Sequence, residues 1–341
     1  HAYVRRQRQM CIRDSITNAN HLFSWSFISL CAFSNSLFIT ALHFHNLRLS
    51  MLLSKTQESA FLNFKPMTAY QDIKYELAFR TDMFNFWNGN KSNKRQHYEF
   101  ELICSLLNWN SNESVVVHDD KTDFPRAEDE RNIFNKDYDV LVTVAGNKKF
   151  ANKPVIKLNS PICKGLLGHR ILIVREQDQP TFHHIHSDQL KSLTAGIPAT
   201  WADAELFRAN GYRVLEQGTL PEILKLLSDK KCDYVSLGAN EVKSIYQEHA
   251  SLLKGLIIEE SILLYYPLPL VFYVHPDKVQ FAQLLDDKLQ DFMLSGEFDS
   301  LFNQHFGNVV SSTGLESRKI INLTNPELTD EFGSFQSQFA S

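Results

Sequence analysis

Short apolar segments alternate with amphipathic ones along most of the chain, and this alternation predicts strands followed by helices. Residues 138–144 are rich in valine and leucine, which is typical of a strand buried on both faces. Residues 98–109 place apolar side chains three and four positions apart, which is the spacing of a half-buried helix. Such alternation predicts an α/β fold with mostly parallel sheets. The other predictions are strands at 75–80, 114–118, 195–197, 212–215 and 232–237, helices at 127–134, 200–209, 220–227, 240–249 and 278–293, and a polar loop at 85–96.

Two apolar segments, 172–174 and 263–274, predict crossings between two lobes. A chain that leaves one α/β lobe, completes a second and returns has the hinge architecture that closes around ligands. The predicted division is a first lobe at 61–174 and 264–307, a second lobe at 175–263, and a loosely held tail at 308–341 that is rich in Ser, Thr and Asn.

The first 60 residues differ in character from the rest. Residues 1–15 are basic and aperiodic, and they resemble translated sequencing-adapter sequence, so we expect a non-native tail. The apolar run 22–44 suits the core of a signal peptide, which predicts a leader at 16–60 and export. Two observations oppose this: the basic region would come from the adapter-like tail, and no Ala-x-Ala site follows. A start at Met51 is the alternative, with 16–50 as translated upstream sequence.

Composition and charge narrow the function classes. With 341 residues, 43% hydrophobic and 22% charged, the chain is long enough for two lobes that each have a core. The net charge of −4 supplies no basic surface, so nucleic acid is not an expected partner. Apolar neighbours predict buried thiols for Cys104 and Cys232, although spacing leaves a disulfide open. None of the cysteines forms a Cys-x-x-Cys pair; they are Cys11, Cys31, Cys104, Cys163 and Cys232.

Catalytic and metal-binding motifs are absent from the sequence. The histidines His183, His184 and His186 are too close together to face one ion, and no Asp or Cys completes a ligand set. No nucleophile elbow, phosphate-binding loop or His-Glu-x-x-His helix occurs. We therefore expect no cofactor, no metal and no enzymatic activity.

A family resemblance rests on the segments near the two predicted crossings. Residues 267–276 lead into an amphipathic helix that ends before Gly296, and upstream lie Ser160, Pro161 and residues 165–174. This order resembles the family 3 solute-binding proteins of bacterial amino-acid uptake systems, over roughly 75–307. The resemblance implies a periplasmic-binding-protein type II fold: two lobes, each a mixed sheet flanked by helices, joined by two hinge segments. It further implies a monomeric periplasmic protein that captures a small polar or carboxylate-bearing solute and delivers it to a membrane ABC permease.

The resemblance also suggests ligand-binding residues. In the family, an arginine before the crossing strand clamps the ligand carboxylate, and Arg170 stands at the matching place. An arginine suits this role because its guanidinium can hold a carboxylate with two hydrogen bonds. A surface arginine is the alternative, and the segment is a few residues longer than the family pattern. Thr200 stands where a Ser or Thr begins the first helix of the inserted lobe; with Asp203 it also forms a capping-box-like pair. Trp201 is either a cleft wall or core filler.

One departure from the family pattern concerns the ligand ammonium. Amino-acid binders carry an aspartate after the strand that matches 233–237, whereas this chain has Asn240 and Glu241, of which only Glu241 can supply the charge. Lys164 and Arg80 are further cleft-edge candidates, with solvated surface charges as the alternative reading.

Two other functions use the same fold. One is a sensor module that passes lobe closure to a signalling partner. The other is a dehydratase-like enzyme with an acid in the cleft, for which Glu241 is the candidate.

Overall fold

The computed structural model describes residues 83–110 and 115–339. The predictions for residues 1–60, the strand at 75–80 and Arg80 lie outside the described residues.

Strands and helices alternate through the described residues. They contain twelve strands, namely β1 (Met83–Trp87), β2 (Val116–Asp120), β3 (Val140–Val144), β4 (Ile156–Lys157), β5 (His169–Arg175), β6 (Thr194–Ile197), β7 (Arg213–Glu216), β8 (Tyr234–Gly238), β9 (Leu256–Ile258), β10 (Ile262–Tyr265), β11 (Leu270–Val274) and β12 (Lys319–Asn322). They also contain ten α-helices, namely α1 (Asn93–Asn108), α2 (Ala127–Arg131), α3 (Gln179–His183), α4 (Ser187–Ser192), α5 (Asp203–Ala209), α6 (Leu220–Ser228), α7 (Val242–Glu248), α8 (Val279–Ser295), α9 (Glu297–Phe306) and α10 (Val309–Thr313).

The first lobe is built on a five-stranded sheet in the order β2-β1-β3-β11-β4. Strands β1, β2 and β3 are parallel, and β11 inserts antiparallel between β3 and β4, with Phe272 opposite Val142. All five residues of β11 are buried, as expected for an apolar strand with neighbours on both sides. Helices α1, α8 and α9 pack together on this sheet, and α1 buries Leu102, Ile103 and Leu106 on one face.

The second lobe is built on a seven-stranded sheet in the order β12-β10-β5-β8-β6-β7, with β9 also paired to β5. Strands β6, β7 and β8 are parallel, while β5 runs antiparallel to β8. All seven residues of β5 are buried, so this strand forms the middle of the sheet. Helix α6 packs against β6 and β8, and α5 packs against β7.

The first crossing between the lobes differs from the predicted one, because residues 172–174 belong to β5, which pairs within the second sheet. The predicted segment 263–274 does run from one sheet to the other, since it begins in β10 of the second sheet and ends in β11 of the first. The chain passes between the sheets at 158–168 and at 266–269, where the Tyr266 amide donates to the Gly168 carbonyl (3.2 Å). An apolar run reveals a buried strand but not the sheet to which it belongs, and for this reason the predicted lobe boundary at residue 174 falls inside the second sheet.

The end of the chain also differs from the predicted loose tail. Strand β12 pairs parallel to β10 in the second sheet. Residues 323–339, which we call the C-terminal strap, then return to the first lobe, where Phe332 (3% exposed) packs in one cluster with Trp87 and Tyr273. A few well-placed apolar side chains are enough to anchor a segment whose overall composition is polar.

The predicted loop at 85–96 is shorter in the structure. Strand β1 extends to Trp87, and helix α1 already begins at Asn93, because the Ser92 hydroxyl accepts a hydrogen bond from the Arg95 amide (3.4 Å) and caps the helix. In the part of the chain that the structure describes, no helix is both long and apolar enough to cross a membrane.

Candidate functional site

A cleft of about 180 Å³ lies where the two lobes face each other. The first lobe contributes the turn that follows β3, and the second contributes the segment between β6 and α5. Ligands of open α/β sheets commonly bind at such carboxyl ends of strands. The polar and aromatic residues of its lining are Asn147, Lys148, Lys149, Thr200, Trp201, Glu205, Glu216, Asn325 and Glu327.

Thr200 and Trp201, two of the predicted site residues, line this cleft. Thr200 has a φ of 75°, a left-handed conformation that costs a β-branched residue about 1–3 kcal/mol. Its amide donates to the Glu216 carboxylate (3.3 Å), which helps to hold the turn. Trp201 packs partly against the core and also lines the cleft.

The predicted capping box of Thr200 and Asp203 is wrong. Helix α5 begins at Asp203 and its N-cap is Ala202, so Thr200 lies too far upstream to cap it. The positive φ turns the backbone away from the helical path one turn before the first helical residue. Thr200 therefore belongs to the cleft turn, and Asp203 has a different partner.

Charged groups in the cleft are arranged in pairs that the sequence analysis missed. Lys148 contacts Glu205 of α5 and Glu327 of the C-terminal strap, the latter at 2.8 Å, and thereby joins the first lobe to both. Glu216 pairs with Arg208 at 2.7 Å. The position of Lys148 just after a buried strand was the available signal, since strand ends form sites in this fold class.

Arg170 and Asp203 are not in the lining of the cleft but contact each other behind it. Arg170 is 1% exposed and its Nη2 lies 2.7 Å from Oδ1 of Asp203, which also accepts a hydrogen bond from the Tyr266 hydroxyl. The remaining bonds of the guanidinium go to the carbonyls of Leu167 (3.4 Å) and Ser236 (3.2 Å). Burial raises the pKa of Tyr266 well above its usual value, so this hydroxyl stays a donor.

Asn240 and Glu241 lie in a buried polar junction between the lobes, away from the cleft lining. Glu241 is 5% exposed and accepts a hydrogen bond from the Ser92 hydroxyl at the start of α1 (3.1 Å). Asn240 donates to the Cys163 sulfur (3.8 Å). The junction also contains the ion pairs of Glu99 with its two cationic partners, Lys91 and Arg95.

Lys164 is directed away from the cleft. Its ammonium pairs with Asp299 (2.6 Å) and lies 4.8 Å from the centre of the Phe302 ring, both on α9. The structure therefore distributes the predicted residues over four places and leaves Arg80 outside the described residues.

Metal-ligating and thiol groups are scattered over the described residues. Within 83–110 and 115–339, no three His, Cys, Asp or Glu side chains come close enough to hold a metal ion. Cys104, Cys163 and Cys232 are free thiols; Cys232 is buried as predicted, whereas Cys104 is only half-buried. Burial raises the pKa of Cys163 and of Cys232 to about 12, so both thiols are unreactive at neutral pH.

Comparison with known proteins supports the fold. No protein-family model and no curated protein matches the chain. Among solved structures, an ancestral arginine-binding protein bound to arginine matches with a TM-score of 0.50 and 13% identity, over 66% of this chain and 98% of that one. A histidine kinase sensor domain with similarity to periplasmic binding proteins matches with a TM-score of 0.49 and 14% identity, over 67% and 97%. A mutant of ArgBP from T. maritima matches with a TM-score of 0.48 and 14% identity, over 70% and 100%.

The match at a TM-score of 0.50, together with the two sheets, confirms the predicted fold class, a mixed α/β protein with two lobes of the periplasmic-binding-protein type. At 13% identity, the match to the ancestral arginine-binding protein shows a shared fold and identifies no ligand.

Proposed function

We propose that this protein binds a small polar solute in the cleft between its lobes, and that the lobes close over the solute. The observation that carries the proposal is the position of the cleft: it lies at strand ends of two sheets joined by adjacent crossing segments. Adjacent crossings allow one lobe to rotate against the other while each core stays intact.

The more specific proposal is an extracytoplasmic solute-binding protein of family 3 that delivers a small polar solute to a membrane ABC permease and acts as a monomer. The two-lobed fold and the sequence resemblance near the crossings support it. Its periplasmic location depends on the predicted leader at 16–60.

Within the cleft we assign the apolar face of the solute to Trp201 and its polar groups to the turn around Thr200 and to Lys148. An indole next to polar groups is a common composition for a small-ligand site. The enzymatic alternative is less well supported, because Glu241 accepts a hydrogen bond from Ser92 and does not line the cleft.

Trp201 provides the test. In a thermal-shift screen of amino acids and related solutes, a binder at 100 times its dissociation constant stabilises the folded protein by about 2.7 kcal/mol. Trp201→Ala should weaken the binder by about tenfold, equivalent to about 1.4 kcal/mol, because the solute loses its aromatic contact.

Trp109→Ala is the matched control, because Trp109 packs on Phe292 of α8 and not in the cleft. It should lower stability but leave the dissociation constant unchanged. Small-angle scattering should also show contraction when the binder is added. A binder whose affinity is unaffected by Trp201→Ala, or whose binding leaves the scattering profile unchanged, would contradict the proposal.

A further inference from the structure

The ion pair of Arg170 and Asp203 lies directly behind the cleft. Asp203 is the first residue of α5 and follows Ala202, which lines the cleft. Arg170 lies at the start of β5, and Tyr266 lies in the second crossing segment. Both charged residues are buried, at 1% exposure for Arg170 and 7% for Asp203.

Asp203 satisfies only part of the hydrogen-bonding capacity of the Arg170 guanidinium. Its Nη2 contacts Oδ1 of Asp203, while Nε is buried with no hydrogen-bond partner among the described residues. A carboxylate that bound the guanidinium with both oxygens would use Nε together with Nη2. Ser236 lies on the same face of the sheet, two residue pairs along the register, and its hydroxyl is likewise buried without a partner in the described part of the chain.

We propose that Asp203 is an internal carboxylate that binds the guanidinium of Arg170 in the place of a solute carboxylate. In this way it makes the cleft select against solutes that are recognised through a carboxylate. The specificity part rests on the proposed function. A solute carboxylate that took this place would leave Asp203 buried and unpaired, which weakens binding by about 100-fold or more.

The charges of the cleft lining agree with this role. Three carboxylates line the cleft, from Glu205, Glu216 and Glu327, against two ammonium groups, from Lys148 and Lys149. Lys149 is further neutralised by Glu130 at 2.6 Å. The lining therefore offers no surplus positive charge to an anionic solute, and it suits a neutral or cationic one.

Chemical rescue tests the internal carboxylate without any knowledge of the natural solute. Asp203→Ala should melt below the parent, because it leaves Arg170 buried and unpaired. Sodium formate should then raise its melting temperature in a saturable way, by about 3–6 °C at ten times the dissociation constant, whereas sodium chloride of equal concentration should not. The parent should show no difference between the two salts.

Two variants serve as controls. Arg170→Met combined with Asp203→Ala removes both charges, so it should melt above Asp203→Ala and lose the response to formate. Asp229→Ala removes an exposed carboxylate that pairs with Lys225, and it should show no response. A formate response that is absent in Asp203→Ala, or that persists in the double variant, would overturn the proposal.

Asp203→Asn covers the case in which Asp203→Ala fails to fold, because it keeps the volume of the side chain and a carbonyl acceptor for Tyr266. Pairs of an acid and its amide, such as acetate and acetamide, are titrated against it and against the parent. In Asp203→Asn, the affinity for the acid should be at least tenfold higher than the affinity for its amide, whereas the parent should show no such preference. Equal preferences in the two proteins would refute the role of Asp203, whereas a solute screen that finds no binder would count only against the proposed function.

Discussion

His169 is a single residue whose protonation is linked to folding. It is fully buried at the start of β5, its Nδ1 lies 3.3 Å from the Gly165 carbonyl, and its Nε2 has no partner among the described residues. The rings of Tyr265 and Phe339 lie beside it. Burial lowers the pKa of His169 below its usual value of 6.5, because a charged imidazolium is poorly solvated there.

The unfolded chain should therefore bind a proton at His169 at higher pH than the folded protein does. Stability should fall as the pH drops from 6.5 to the lowered folded-state pKa and then level off, with a slope of up to about 1.4 kcal/mol per pH unit. His169→Phe should reduce this slope by that amount. The measurement is urea unfolding between pH 7.5 and pH 5, and parallel profiles for the two proteins would show that His169 is not responsible.

The C-terminal strap is the element that extends the contact between the lobes beyond the two crossings. It leaves β12 in the second sheet, and its Asn325 donates to the Pro267 carbonyl in a crossing segment (2.8 Å). Further along, the Ser337 amide donates to the Tyr265 hydroxyl (3.0 Å). Phe332 provides its apolar anchor in the first lobe.

Phe332→Ala should lower the free energy of unfolding by about 3–5 kcal/mol, because it removes a buried ring from a packed cluster. Leu294→Ala is the control: this side chain is 86% exposed on α8, so its loss should cost less than about 0.5 kcal/mol. Denaturant unfolding measures both. Equal effects of the two variants would mean that the strap is not anchored as described.

The fold of the whole molecule requires its two crossing segments to approach each other closely. A Cβ at Gly168 would lie 2.1 Å from the Tyr266 carbonyl oxygen, so only glycine fits there without moving the backbone. This contact lies at the hinge, since residues 158–168 and 266–269 are the two connections that run between the β4–β11 and β5–β10 strand pairs.

Gly168→Ala should therefore force the crossings apart and destabilise the protein by about 1–3 kcal/mol. Gly333→Ala is the matched control, because a Cβ there would lie 3.3 Å from the nearest atom and φ is −57°, a value that alanine adopts readily. Thermal unfolding compares the two. If Gly168→Ala melts like Gly333→Ala, the approach of the crossings is not a constraint on the fold.

The sequence alone determined the local elements. Apolar runs predicted the strands β3, β8 and β11, and apolar spacing predicted α8, which ends at Gly296 with a φ of 84°. These features depend on neighbouring residues, because side-chain periodicity and a left-handed glycine act within a few positions of the chain. The two-lobed fold was expected from two apolar segments and from the family resemblance, although one of the segments, 172–174, lies within the second sheet.

Only the tertiary structure decided which elements and charges meet. Asp203 pairs with Arg170 across 33 positions of sequence, Ser92 with Glu241 across 149, and β12 joins β10 from the end of the chain. No local pattern marks these partners, because any of many carboxylates can satisfy a given arginine. The choice is made by packing, which brings one particular carboxylate to the buried guanidinium and places the others elsewhere.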